Sequence, residues 1–208
     1  VARTPITELP PNYREVLYFT ANDPQILLRL NLWALLPMLI AFIGMSSWLA
    51  LVRSLRGTWT WDTVWLDILP IVFALAGVLV LHEWLHGLAI QWYGHKPRYG
   101  AKYSQLGRLK LPIMFYATTD NGLFRRHEFI IIALTPLLVI TLLGMAVGFI
   151  LPDNWHFYLT LTVVLNAGGA IGDLWMTGLA LRYSSTALVR DEADSIRIFT
   201  PDADLADR

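Results

Sequence analysis

Residues 79 to 90 read LVLHEWLHGLAI, which sets His82, Glu83 and His86 on one turn of an otherwise apolar run. On a helix, positions i and i+4 share a face, so both imidazoles can address one ion while Glu83 stays within reach of a water that the ion activates. That is the spacing of metal-assisted hydrolysis, and zinc is the metal it suits. In a chain with five histidines, such a pattern arises by chance with a probability of about 0.3%. The plain alternative is a polar network joining buried helices. Three ionisable groups on one apolar turn are costly, however, and groups of that kind mark function by default.

Two histidines do not complete a catalytic zinc site, which takes three protein ligands and an open position. His95 lies nine residues past His86 and beyond Gly94, which does not fit the extended motif with a third His six residues after the second; position 92 is Trp. Asp67 precedes His82 by fifteen residues, about 22 Å along a helix, and cannot reach. His127 and Glu128 open a later span and stay as secondary candidates. Asp173 fits by depth: it stands nine residues before Arg182, as His86 stands ten before Lys96, so both lie about 13 to 15 Å from the same end of parallel helices. The rival for Asp173 is a plain ion pair with Arg182. Asn166, two turns earlier on the same face, is a candidate for orienting a substrate carbonyl or for bonding a neighbouring helix.

The elements that must hold these groups are membrane-type. With 208 residues, 55% hydrophobic and 15% charged, and a mean hydropathy of +0.48, the chain is too apolar for an ordinary soluble domain. Net charge is zero and cysteine is absent, so nothing points to nucleic acid, and disulfides and thiolate metal sites are excluded. Four segments are long enough to span, about 32–52, 64–90, 129–151 and 157–181. The first reads as a retained helix rather than a cleaved signal peptide. Of the Lys and Arg residues, fourteen lie before the first span, between the second and third, or in the tail; only Arg53 and Arg56 lie elsewhere. The excess of cationic residues predicts cytoplasmic termini and a cytoplasmic 95–128 loop. Trp59, Trp61, Trp65 and Trp155 would mark the outer interface, and Trp92, Tyr93 and Tyr183 the inner one.

The 95–128 loop is rich in aromatic and β-branched residues and closes on TDNG, which predicts short strands ending in a turn. ALVRDEADSIRIF predicts a C-terminal hairpin with EADS as its turn, and TELPPNYREVLYFTANDPQ, residues 7–25, an irregular or interfacial lead-in. The expected fold is therefore an α-helical membrane protein forming a single domain over 1–208: four transmembrane helices, a cytoplasmic β-type loop between helices 2 and 3, and a short C-terminal hairpin.

HEWLHG on a span, a basic β-type loop, EFIIIALTP opening the next span and NAGGAIGD on the last, flanked by LPPNYRE and VRDEADSIRIF, together resemble the putative zincin peptidase family over nearly the whole chain. The chain is also distantly similar to the site-2 proteases. The resemblance implies intramembrane zinc-dependent peptide hydrolysis with His82 and His86 as ligands, Glu83 as base and Asp173 as the downstream aspartate. Site-2 proteases carry Asp-Gly after an Asn- and Pro-containing run. Here Leu174 follows Asp173, and no Pro lies between Asn166 and Asp173.

The expected partners are the lipid bilayer and a membrane-protein or peptide substrate, with no nucleic acid; an oligomeric partner is not specified. Two rivals stand beside the peptidase: a non-catalytic zinc-binding membrane protein, and a small metal or ion transporter that uses His82, Glu83, His86 and Asp173 with Asp67. Transport needs polar groups through the full thickness. The fourth span shows only threonines above Asn166.

Overall fold

A computed structural model describes residues 4–21, 23–58, 68–106, 109–193 and 195–202. In chain order the elements are β1 (Tyr13–Thr20), α1 (Pro24–Arg56), α2 (Ile68–Trp92), β2 (Arg98–Leu106), β3 (Leu109–Thr118), β4 (Leu123–Arg125), α3 (Arg126–Gly148), a 3₁₀ turn (Asp153–Trp155), α4 (His156–Gly169), α5 (Ile171–Ala180), β5 (Leu188–Asp191) and β6 (Ser195–Pro201). Among the described residues three helices, α1, α2 and α3, are long and apolar enough to cross a membrane, and a fourth joins them if the bent pair α4–α5 counts as one span. Asp67, Trp59, Trp61 and Trp65 lie outside the described residues.

The chain divides into two compact units. The first comprises Val1–Leu28, Glu83–Thr135 and Gly172–Arg208. Its sheet runs β1-β6-β5-β4, antiparallel throughout. Because side chains alternate across a strand, β5 and β6 serve two layers. Val189, Ile196 and Ile198 pack on Ile90 and Tyr93 at the end of α2, Phe129, Ile132 and Ala133 of α3, and Ala180 of α5. Leu188 and Phe199 turn to Leu123 and the N-terminal residues Ile6, Leu9 and Tyr13. The lead-in expected to be irregular is thus partly a strand: β1 pairs with β6 from Tyr13↔Pro201 to Thr20↔Ser195. The C-terminal hairpin, turning at Ala193 with φ 73°, is the centre of a four-stranded sheet rather than a free appendage. Tyr93, expected at the interface, is 5% exposed in this core.

The 95–128 segment is β-type as expected. Strands β2 and β3 form a separate antiparallel two-stranded sheet, and the TDNG turn carries Asn121 at φ 58°. α2 stops where Gly94 takes φ 84°. Its N–H bonds Gln91 O at 2.9 Å and the His95 N–H bonds Ile90 O at 3.3 Å, closing the helix through a left-handed residue as glycine readily allows.

The second unit comprises Arg29–His82 and Pro136–Ile171. Met45 and Leu49 of α1 meet Val163 of α4, with Met145 and Leu159 around them, and Trp48 Nε1 donates to Met145 O at 2.9 Å. Leu32, Leu35, Leu39, Ile40 and Ile43 of α1 are all more than half exposed, an apolar exterior that suits hydrocarbon rather than water. The span expected over 157–181 is broken: α4 ends at Gly169, α5 begins at Ile171, and the axis bends by 41°.

Candidate metal centre

Four residues separate His82 from His86 on α2, about 6 Å along the axis, and both side chains are buried. Each is held through Nδ1. His86 Nδ1 lies 3.0 Å from the Ile132 carbonyl oxygen of α3. A carbonyl only accepts, so Nδ1 donates and Nε2 keeps its lone pair in the neutral ring. His82 Nδ1 lies 2.9 Å from Asn166 Oδ1. Asn166, 2% exposed, donates from Nδ2 to the Pro136 carbonyl at 3.3 Å. That bond turns its oxygen toward His82 and makes Nδ1 the donor there as well. An outward N–H held by a carbonyl or amide oxygen is how a metal-ligating histidine is usually oriented.

Asp173, in the first turn of α5, brings Oδ2 to 3.4 Å from His86 Nε2. That is longer than a charge-assisted hydrogen bond, about 2.7 to 2.9 Å. Two ligands bound at 2.0 to 2.2 Å to one tetrahedral zinc, by contrast, stand about 3.4 Å apart. The ligand atoms of His82, His86 and Asp173 all lie within 4.8 Å of one another, and among the described residues they are the group so gathered. Asp173, weighed from sequence against a pairing with Arg182, turns to His86. Glu83 shares the turn with His82 and is partly exposed. Two imidazoles, a carboxylate and an adjacent acid are the donor set a catalytic zinc takes, so the residues fit the metal.

His95, His127 and Glu128 are placed elsewhere. They line a cavity of about 360 Å³ together with Tyr93 and Arg125, where burial pushes His95 below its ordinary value despite nearby Glu128. Glu128 Oε2 accepts the Arg125 N–H at 2.9 Å, capping the start of α3.

Two further residues beside the centre were not singled out from sequence. The Tyr99 hydroxyl of β2 occupies the space that a side chain on Gly87 would fill, so the glycine after His86 admits a ring against the helix backbone. Asp191, at the end of β5, is half-buried and its carboxyl is pushed up to about 7, chiefly by burial. The Ala193 N–H, 3.0 Å from Oδ1, opposes that rise, while Asp173 and Glu83 add to it. Nothing local in DEADS announces this; only the fold brings that carboxyl into the field of the site.

Apolar helices of spanning length thus bring together two imidazoles and one carboxylate that could hold a metal ion. The chain belongs to the family described as Putative zincin peptidase, whose model matches residues 75–188 and so takes in His82, Glu83, His86, Asn166 and Asp173. No curated protein and no solved structure matches the chain.

Proposed function

We propose that the protein is an intramembrane zinc-dependent metallopeptidase, similar in plan to the site-2 proteases, that hydrolyses peptide bonds of membrane-associated substrates. The observation that carries the reading is the pair of histidines whose Nδ1 atoms are committed to Asn166 and Ile132 while a carboxylate stands 3.4 Å from His86 Nε2. His82, His86 and Asp173 would hold the zinc. When bound, it supplies Lewis acidity that polarises a peptide carbonyl and acidifies water. Glu83 is then the proton carrier, taking a proton from the attacking water and delivering it to the leaving amine. Asn166 works through His82 in this reading, since both ends of its amide are engaged by protein.

The lipid bilayer is the proposed surrounding, with both termini and the 95–128 loop cytoplasmic, as the excess of Lys and Arg favours. A substrate helix must unwind to expose its amides. The β2–β3 sheet, two-stranded among the described residues, offers outer edges for an extended segment to pair with. Metal analysis of purified protein is the test. About one zinc per chain is expected, lost largely in His82→Ala, His86→Ala and Asp173→Ala and kept in Glu83→Gln with no cleavage. Full zinc in Asp173→Ala would remove that residue from the centre. Unchanged turnover in Glu83→Gln would remove Glu83 as the base, and a wild type that binds zinc without cleaving any substrate would favour the non-catalytic alternative.

A further inference from the structure

Proline 136 interrupts α3 in mid-course. In an α-helix the N–H of residue 136 would bond the carbonyl of residue 132, but proline has no N–H and its ring crowds that oxygen. The acceptor left over is Ile132 O, the atom that His86 Nδ1 meets at 3.0 Å. One position earlier, the Ile131 carbonyl is taken up by Thr135 Oγ1 at 2.6 Å, so the carbonyls of this turn do not stand idle. Proline 136 also presents its own carbonyl to Asn166 Nδ2, and Asn166 in turn holds His82. Both histidines are therefore oriented through the same residue of a neighbouring helix.

We propose that Pro136 is a positioning residue for the metal centre: by lacking an N–H it reserves the Ile132 carbonyl for His86 and so fixes the Nδ1-protonated tautomer that turns Nε2 toward Asp173. The inference rests on the reading of His82 and His86 as zinc ligands, and it gives a chemical role to the proline of EFIIIALTP. A restored N–H at position 136 competes for Ile132 O, loosens the His86 ring and lets the proton move to Nε2, which then cannot ligate.

The experiment compares three full-length proteins in detergent: wild type, Pro136→Ala, and a chain with lactic acid introduced at position 136. Lactic acid has the alanine side chain but, like proline, no N–H. Zinc affinity by chelator competition should fall about 10- to 100-fold in Pro136→Ala, the usual cost of losing an outer partner of a ligand, and return close to wild type with lactic acid. The ¹⁵N signals of the His86 ring in metal-free protein should report an Nδ1 proton in wild type and in the lactic acid protein, and a rise of the other tautomer in Pro136→Ala. Equal zinc affinity and equal ring signals in all three overturn the inference. So does an equal loss in the alanine and lactic acid proteins, which would assign the effect to ring shape or helix bend. Ring signals that follow the stated pattern in a wild type that binds no zinc would sustain the positioning role and overturn only the zinc reading.

Discussion

Replacing Asp191 by Asn tests whether the C-terminal sheet places a buried acid beside the centre. The carboxyl rises from the ordinary 3.8 to about 7, so between those values the folded chain binds more protons than the unfolded one. Stability from this group is therefore full below pH 4 and is lost as pH rises through 7. Three units at about 1.4 kcal/mol each give a ceiling of roughly 4 kcal/mol, and residual solvation of a half-buried group lowers it to somewhere between about 1 and 4 kcal/mol. Asn imitates the neutral acid and still accepts the Ala193 N–H through its amide oxygen. The assay is thermal unfolding of chelator-treated protein in detergent at pH 5, 6, 7 and 8; metal is removed because a cation among His82, His86 and Asp173 would favour the Asp191 anion. Asp191→Asn should already melt slightly higher at pH 5, because the loss begins above about pH 4, and its margin should widen to several degrees at pH 8. A difference that stays flat from pH 5 to 8, or a wild type that is the more stable at pH 8, would refute the placement of this carboxyl.

Two other expectations bear on orientation and substrate capture. The chain has no cysteine, so single cysteines at Ser104 and Thr58 can be labelled with an impermeant reagent in intact cells; reaction at 58 with protection at 104 is expected, and the reverse pattern inverts the topology. A proline scan from Lys102 to Tyr116, scored for cleavage of a membrane substrate and for bound zinc, should find positions where rate falls and metal stays, because proline removes the N–H that strand addition uses. If every metal-retaining variant keeps its full rate, the β2–β3 sheet is only a connector.

What the sequence revealed, and what it hid, follows from the range of the forces involved. Long apolar helices and the shared face of His82 and His86 were legible because hydropathy and i,i+4 spacing are local properties, and the nearness of Asp173 to His86 was legible because each stands nine or ten residues before the next Lys or Arg. Strand β1 was not. Its pairing to β6 joins Tyr13 to Pro201, and YREVLYFT, with Arg14, Glu15 and Tyr18 interleaved, has no clean alternation until β6 covers it. Arg197, bridging Glu15 at 3.0 Å and Glu192 at 2.9 Å, shows that the polar residues were placed for a partner far away in the chain. The Ile132 carbonyl was invisible because backbone atoms have no letter in a sequence; its only trace is the proline four residues on. Asp191 ends β5 just before the EADS turn, where Ala193 N–H bonds its Oδ1, and its place beside the centre depends on tertiary packing alone.

The break between α4 and α5 answers a mismatch of lengths. His82 and His86 stand four residues apart, about 6 Å along α2, whereas Asn166 and Asp173 stand seven apart, about 10.5 Å along a straight helix. Yet Asn166 meets His82 at 2.9 Å and Asp173 meets His86 at 3.4 Å. A straight helix would overshoot one of the two partners. The interruption at Ala170, with its 41° bend, changes the path between Asn166 and Asp173 so that both can be met. Opening a helix in an apolar setting costs several kcal/mol for each backbone group left unbonded, but here the Ala170 N–H still reaches Asn166 O at 2.9 Å, so the chain turns without abandoning that bond. Gly168 admits the Met38 side chain against the backbone, whereas a side chain at Gly169 or Gly172 would meet open space. NAGGAIGD is thus a spacing device: it lets one helix end on the residue that steers a histidine and the next begin with the carboxylate that faces the other.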